Sequence, residues 1–347
     1  MLLALAVITA GAALRQLDRA HFTRHRPRAA DAAQLIALQR ARANNWAPSL
    51  LLAGQWLQIT GWWMLAAHGP LAAAAAALAV AVHFRHLQEI SHFAVHGVLA
   101  RTARVNLLLA EAFAHHPLAL GPVRLRRQRH VRDHHPNAAQ AGIDPNLDDL
   151  HQAGLHPGTS RATFALALVH PLTPRGIRST ALGIANGVQH GGTWHRAAAI
   201  GAVLATAYLA GGWVAVVAGV LVPRLLLYPQ MAWLSLINEH TWFDPEHRTG
   251  TPAWVEAGRC LRLYPRNRVL AALAATTWLP YGDLHHYAHS AHPGLRWNYL
   301  SALERHLDRP HFTPDRLLFG PGSVALRHLN ALHGLTSPKQ EEKAAAT

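Results

Sequence analysis

APSLLLAGQWLQITGWWMLAAHGPLAAAAAALAVAV, residues 47–82, carries no Asp, Glu, Lys or Arg in 36 residues. As one helix it would measure about 54 Å, well beyond a hydrocarbon core of roughly 30 Å, so it must fold back on itself. The break falls at His68-Gly69-Pro70, where Gly and Pro supply a turn. One span is expected near Ala47 to Ala67 and another from Leu71 onward. A second uncharged run covers Ala197 to Pro223, is interrupted at Pro223-Arg224 and resumes from Leu225 to Asn238. The expected fold is therefore all-α and integral to a membrane, with four transmembrane helices in two hairpins. A helical protein that buries Ala-rich core helices is the alternative. The mean hydropathy of +0.05 favours that alternative, and the length of the two runs argues against it.

Charge sets the expected orientation. Residues 15–46 carry seven Arg against two Asp, the stretch 99–194 carries ten Arg against five acids, and the two expected hairpin turns carry only Arg224. Both long loops and the C-terminal region are thus placed on the cytoplasmic side, as a helical cap beneath the spans. The chain divides into an N-terminal cytoplasmic or interfacial segment (1–46), a membrane domain (47–305) and a C-terminal cytoplasmic tail (306–347) whose end, from Thr336, reads as disordered. Arg outnumbers Lys thirty to two, a bias of GC-rich bacterial genomes, so the expected location is a bacterial inner membrane with the site facing the cytoplasm. The net charge of +14 is assigned to membrane lipid headgroups, since no nucleic-acid motif accompanies it. A single cysteine, Cys260, excludes an internal disulfide framework or thiolate cluster.

Histidine is the chemical signal: 27 of 347 residues, many in tight groups. They are His92-x3-His96, His130-x3-His134-His135, the lone His240 in Asn238-Glu239-His240, and His285-His286-x2-His289-x2-His292. Chance alone would supply roughly two HxxxH matches at this content, so the weight lies on the constellation. Neutral imidazole suits iron, zinc and copper, and separated clusters point to a polynuclear metal site built from distant segments. His92 and His96 lie four apart on one helical face, and Glu89 is placed to support a ligand ring. Other histidines, among them His115, His156, His328 and His333, are read as interfacial or solvent-facing.

Arg85-His86-Leu87-Gln88-Glu89-Ile90-Ser91-His92-Phe93-Ala94-Val95-His96-Gly97, with Asn106 downstream, resembles the first histidine box of the membrane fatty-acid desaturases. Arg129-His130-Val131-Arg132-Asp133-His134-His135, followed by Asp144-Pro145-Asn146, is similar to their second box. His286-Tyr287-Ala288-His289-Ser290-Ala291-His292-Pro293-Gly294-Leu295-Arg296-Trp297 is similar to their third. Glu239-His240 matches a dipeptide many members carry after the last span. The resemblance covers residues 45–305 and departs at two points. Phe93 stands where an acid is usual, and Ser290 stands where the third box has a histidine, so His292 or His285 is expected to take that place.

The resemblance implies a non-haem di-iron oxidoreductase that uses O2 and electrons from an external donor such as a ferredoxin to desaturate a fatty acyl or lipid-derived alkyl chain. A hydroxylase or ketolase of the same superfamily is the alternative, and a non-catalytic His-rich metal-binding membrane protein is the second. Iron ligands and catalytic residues carried over are His92, His96, His130, His134, His135, His240, His286 and His289, with His292 as a further metal ligand.

Overall fold

A computed structural model gives the fold. It describes residues 1–190, 193–314, 316 and 318–335, so the tail expected to be disordered from Thr336 lies outside the described residues. The chain opens with α1 (Leu2–Thr23), α2 (Ala32–Arg42), α3 (Ala47–Ala66) and α4 (Pro70–Val95). Helix α5 (Ala103–Ala110) runs into a π-helical turn, Glu111–His115. Helix α6 (Val123–Arg127) runs into a second, Gln128–His134, followed by α7 (His135–Asn137) and α8 (Pro145–Gln152). Next come α9 (Arg161–Leu168), α10 (Pro174–His190) and α11 (Thr193–Val216), which continues through π-helical Val217–Leu221 and Pro223–Leu227 into α12 (Tyr228–Ile237). Helices α13 (Pro252–Arg259), α14 (Arg268–Thr276), α15 (His286–Ala291), α16 (Trp297–Glu304) and α17 (Val324–Leu332) follow. Among the described residues the only β pairings are two isolated bridges, His240 with Cys260 and Leu261 with Phe312.

Local chemistry explains where the helices start. Asp31, Thr102, Asp144, Ser160, Thr251, Asn267 and Ser323 each precede a helix and accept a hydrogen bond from a backbone N–H of its first turn. The turn between α3 and α4 comes where the sequence places it, with Gly69 at φ 114° and Pro70 opening the next helix.

The four-span, two-hairpin membrane fold is not what forms. Among the described residues two helices are long and apolar enough to cross a membrane, Pro70–Val95 and Trp194–Ile237. Half of the apolar window of the first is buried inside the protein. The uncharged run in α3 contains Gln55, Gln58 and Thr60, which dilute its apolarity, and both glutamines are buried against protein partners. The second run breaks at Gly211–Gly212, where the backbone is non-helical, and Pro223-Arg224 stays inside helical structure. The inner-membrane location with a cytoplasm-facing site rested on the four-span count and goes with it.

Two apolar cores hold the helices together. The first centres on Trp63, Phe84, Phe93 and Tyr299, and the second on Leu150, Trp242, Leu261 and Tyr264. The histidines sit where the cores meet: Phe93 packs on His92 and His289, and Trp242 packs on His134 and His240.

Candidate metal centre

Helix α4 delivers the first pair. His92 and its cap residue His96 lie one turn apart with their Nε2 atoms separated by 3.1 Å. His92 Nδ1 is 3.0 Å from Glu89 Oε1, and an ionised carboxylate only accepts, so Nδ1 carries the proton and Nε2 keeps its lone pair. Glu89 is held in turn by Arg85, which also pairs with Asp283 and donates to Ser235. This network ties α4 to α12 and to the segment before α15. Asn106 braces the loop after α4, accepting from the Leu99 and Ala100 amides and donating to the Ala100 and Thr102 carbonyls.

The second cluster depends on the π-helical stretch Gln128–His134. On an α-helix His135 would point about 140° away from His130. The wider i→i+5 turn sets His134 and His135 to either side of the His130 direction, and the two neighbours face different groups. His134 Nδ1 is 2.9 Å from Asp144 Oδ1, and the same carboxylate caps α8 and accepts from the Ala139 amide. That leaves His134 Nε2 buried with no hydrogen-bond partner.

The remaining rings come from the end of α12 and from α15. His240 Nδ1 donates to the Arg259 carbonyl at 3.2 Å, and its Nε2 lies 3.2 Å from His286 Nε2. His289 is buried with neither ring nitrogen partnered.

Two groups of donor atoms result. Ring nitrogens of His92, His96, His130, His135 and His289 all lie within 4.8 Å of one another. A carboxylate oxygen of Glu239 and nitrogens of His134, His240 and His286 do the same. The groups adjoin, with ring centroids 5.4 Å apart for His130 and His134 and 5.8 Å for His286 and His289. Burial first, then neighbouring imidazoles, holds His130, His135, His240 and His286 well below the usual imidazole range, and burial also leads the lowering of His289. Burial pushes Glu239 up to about 7. Neutral rings with converging lone pairs repel one another unless a cation lies between them, and neutral imidazole is the form that binds metal. The clustered side chains can hold metal ions, and the orphaned nitrogens of His134 and His289 fit that role.

Eight of the nine expected ligands are brought into these two groups, and His292 is not. It follows α15 half-buried and belongs to neither. His285 turns away to Glu304, with Nδ1 3.1 Å from Oε1. The Ser290 hydroxyl lies 3.1 Å from His286 Nε2, and the non-imidazole donor in that group is Glu239. Reading Glu239-His240 as a dipeptide held the signal for this carboxylate, which the sequence assignment left out. Phe93 fills core space against Trp297 and His289, and Glu89 supplies the carboxylate from the preceding turn. His115 and His328, read as interfacial or solvent-facing, are buried.

Two further acidic clusters line the edges, Glu89 with His92 and Asp283, and His240 with Glu256 and Cys260. Their carboxylates are committed to Arg85 and Arg259, so they serve as supports. Arg259 also donates to the His135 and Ala138 carbonyls, joining the end of the π-helical stretch to His240. No protein-family model matches the chain, and no curated protein matches it.

Proposed function

We propose that the protein is a non-haem di-iron oxidoreductase that oxidises an unactivated alkyl C–H with O2, and that the reaction is desaturation of a fatty acyl or similar alkyl chain. The observation that carries the reading is the pair of adjoining groups of imidazoles, His92, His134, His240, His286 and His289 buried and His96, His130 and His135 partly so, with His134 Nε2 and both His289 nitrogens unpartnered. The first iron is assigned to His92, His96, His130, His135 and His289, and the second to His134, Glu239, His240 and His286. Bound iron would supply the redox capacity to activate O2, which no side chain of this set has.

The protein's own part is positional. Glu89, Asp144 and the Arg259 carbonyl fix the proton of their histidine on Nδ1, so three rings present Nε2 in a set direction. Burial of His92, His134, His240, His286 and His289 keeps bulk water from the inner side of the site. Desaturation takes two hydrogens from neighbouring carbons, and with O2, two electrons and two protons yields an alkene and two waters. The electrons come from a separate donor, such as a ferredoxin. The test is product analysis on iron-loaded protein with a chemical reductant and O2: an alkene supports desaturation, an alcohol moves the assignment to hydroxylation, and no oxidation of any alkyl substrate contradicts the reading.

A further inference from the structure

A cavity of about 440 Å³ borders the proposed metal centre, with His92, His130 and Glu239 among its lining residues. That volume lies within the usual range for a small-molecule site. Its walls differ in character. On one side Pro229, Ala232, Trp233 and Leu236 all face the cavity from α12. Their i, i+3, i+4, i+7 spacing makes one apolar stripe about 10 Å long. The lining also holds three arginines, Arg85, Arg126 and Arg129, together with the carboxylates of Glu89, Asp149, Glu239 and Asp283. Arg85 is neutralised by Glu89 and Asp283, and Arg129 by Asp149. Arg126 spends Nη1 on the Gln88 carbonyl and the Ser91 hydroxyl and has no carboxylate within ion-pair distance among the described residues.

A half-buried guanidinium beside an apolar stripe favours a ligand with one acidic end and a short apolar body, because a charged hydrogen bond to the acid offsets the desolvation of the cation. We infer that the cavity binds a small anionic amphiphile, with its carboxylate or phosphate held by Arg126, beside His92, and its apolar body laid against the α12 stripe. This inference rests on the proposed function for what happens to the ligand, and on the cavity alone for its binding. It makes the substrate an individually bound acid, with the reacting carbons a fixed distance from the charged end.

Titration calorimetry of the full-length protein with octanoate, octyl phosphate and octan-1-ol tests it. At least one of the two anions is expected to bind about tenfold or more tightly than the alcohol, and the tighter anion names the head group. Arg126→Met should bring that anion down to the level of the alcohol with metal content unchanged, and Arg126→Lys should restore part of the difference. Trp233→Ala should weaken all three ligands alike. Equal binding of acids and alcohol, or anion binding indifferent to Arg126→Met in a folded variant, overturns the inference. Arg126-dependent binding by a protein that holds no iron keeps the inference and removes the proposed function; a two-iron protein with Arg126-independent binding does the reverse.

Discussion

Arg85 is the residue on which the supports of the site converge. It is buried, with Glu89 and Asp283 as its counter-charges, so removing one member leaves a charge stranded away from water. Arg85→Met is expected to destabilise the fold by about 3–5 kcal/mol in equilibrium denaturation, whereas the exposed pair Arg129–Asp149 should cost no more than about 1 kcal/mol when broken. The single variants His134→Ala and His289→Ala should each lower the metal content measured on purified protein, because each removes a nitrogen with no other partner. The histidines were legible from sequence because their spacing within each segment is short and repetitive. Asp283 and Arg259 were not, since they meet Arg85 and His240 across 198 and 19 residues and no local pattern marks them, and Asp144 was marked as the turn after the second box without its hold on His134. Ser290 was legible as a departure, but the non-imidazole donor grouped with His286, Glu239, comes from the turn after α12.

At the scale of elements, the contact of α1 with α3 depends on glycine. A Cβ at Gly54 would sit 2.8 Å from the Gly11 carbonyl oxygen, and one at Gly61 would sit 2.6 Å from Ile8 and 2.9 Å from the Ala4 carbonyl oxygen. Backbone cannot retreat as a flexible side chain can, so Gly54→Val or Gly61→Val should separate the helices and cost about 1–3 kcal/mol, read as a lowered denaturation midpoint. Gly201→Ala on α11, where a Cβ meets nothing, is the control and should stabilise slightly, by up to about 1 kcal/mol. Helical segments around residues 47–66 and 70–95 could be read from apolar runs bounded by Gly and Pro. The π-helical turn at Gln128–His134 could not, because its sequence carries no signal distinguishing an i→i+5 turn from an α-helix. That turn is what lets adjacent His134 and His135 serve different groups.

For the whole molecule, the absence of charge over long stretches was read as a hydrocarbon environment. The run in α3 instead places Gln55 against His83 and Tyr281, inside the protein. Burial elsewhere makes stability depend on pH. His328 donates to the Ile237 carbonyl in a buried setting, and burial lowers its pKa to about 4; burial lowers that of His115 to about 3. Unfolding returns each ring to about 6.5, so below that pH the unfolded chain binds protons that the folded chain refuses. Stability is therefore fully present above about pH 6.5 and is lost as pH falls toward 4, by about 3 kcal/mol for His328. Denaturation of His328→Gln across this range should show a shallower slope, by one proton.

The central claim is that two adjoining sets of side chains hold two metals. Iron quantification on the anaerobically reconstituted full chain, alongside His289→Ala and Glu239→Gln, tests it most directly. The account predicts about two irons in the parent protein, with each variant losing the occupant of its own group and retaining part of the other. A parent protein that binds no iron, or variants that keep the full complement, would contradict it.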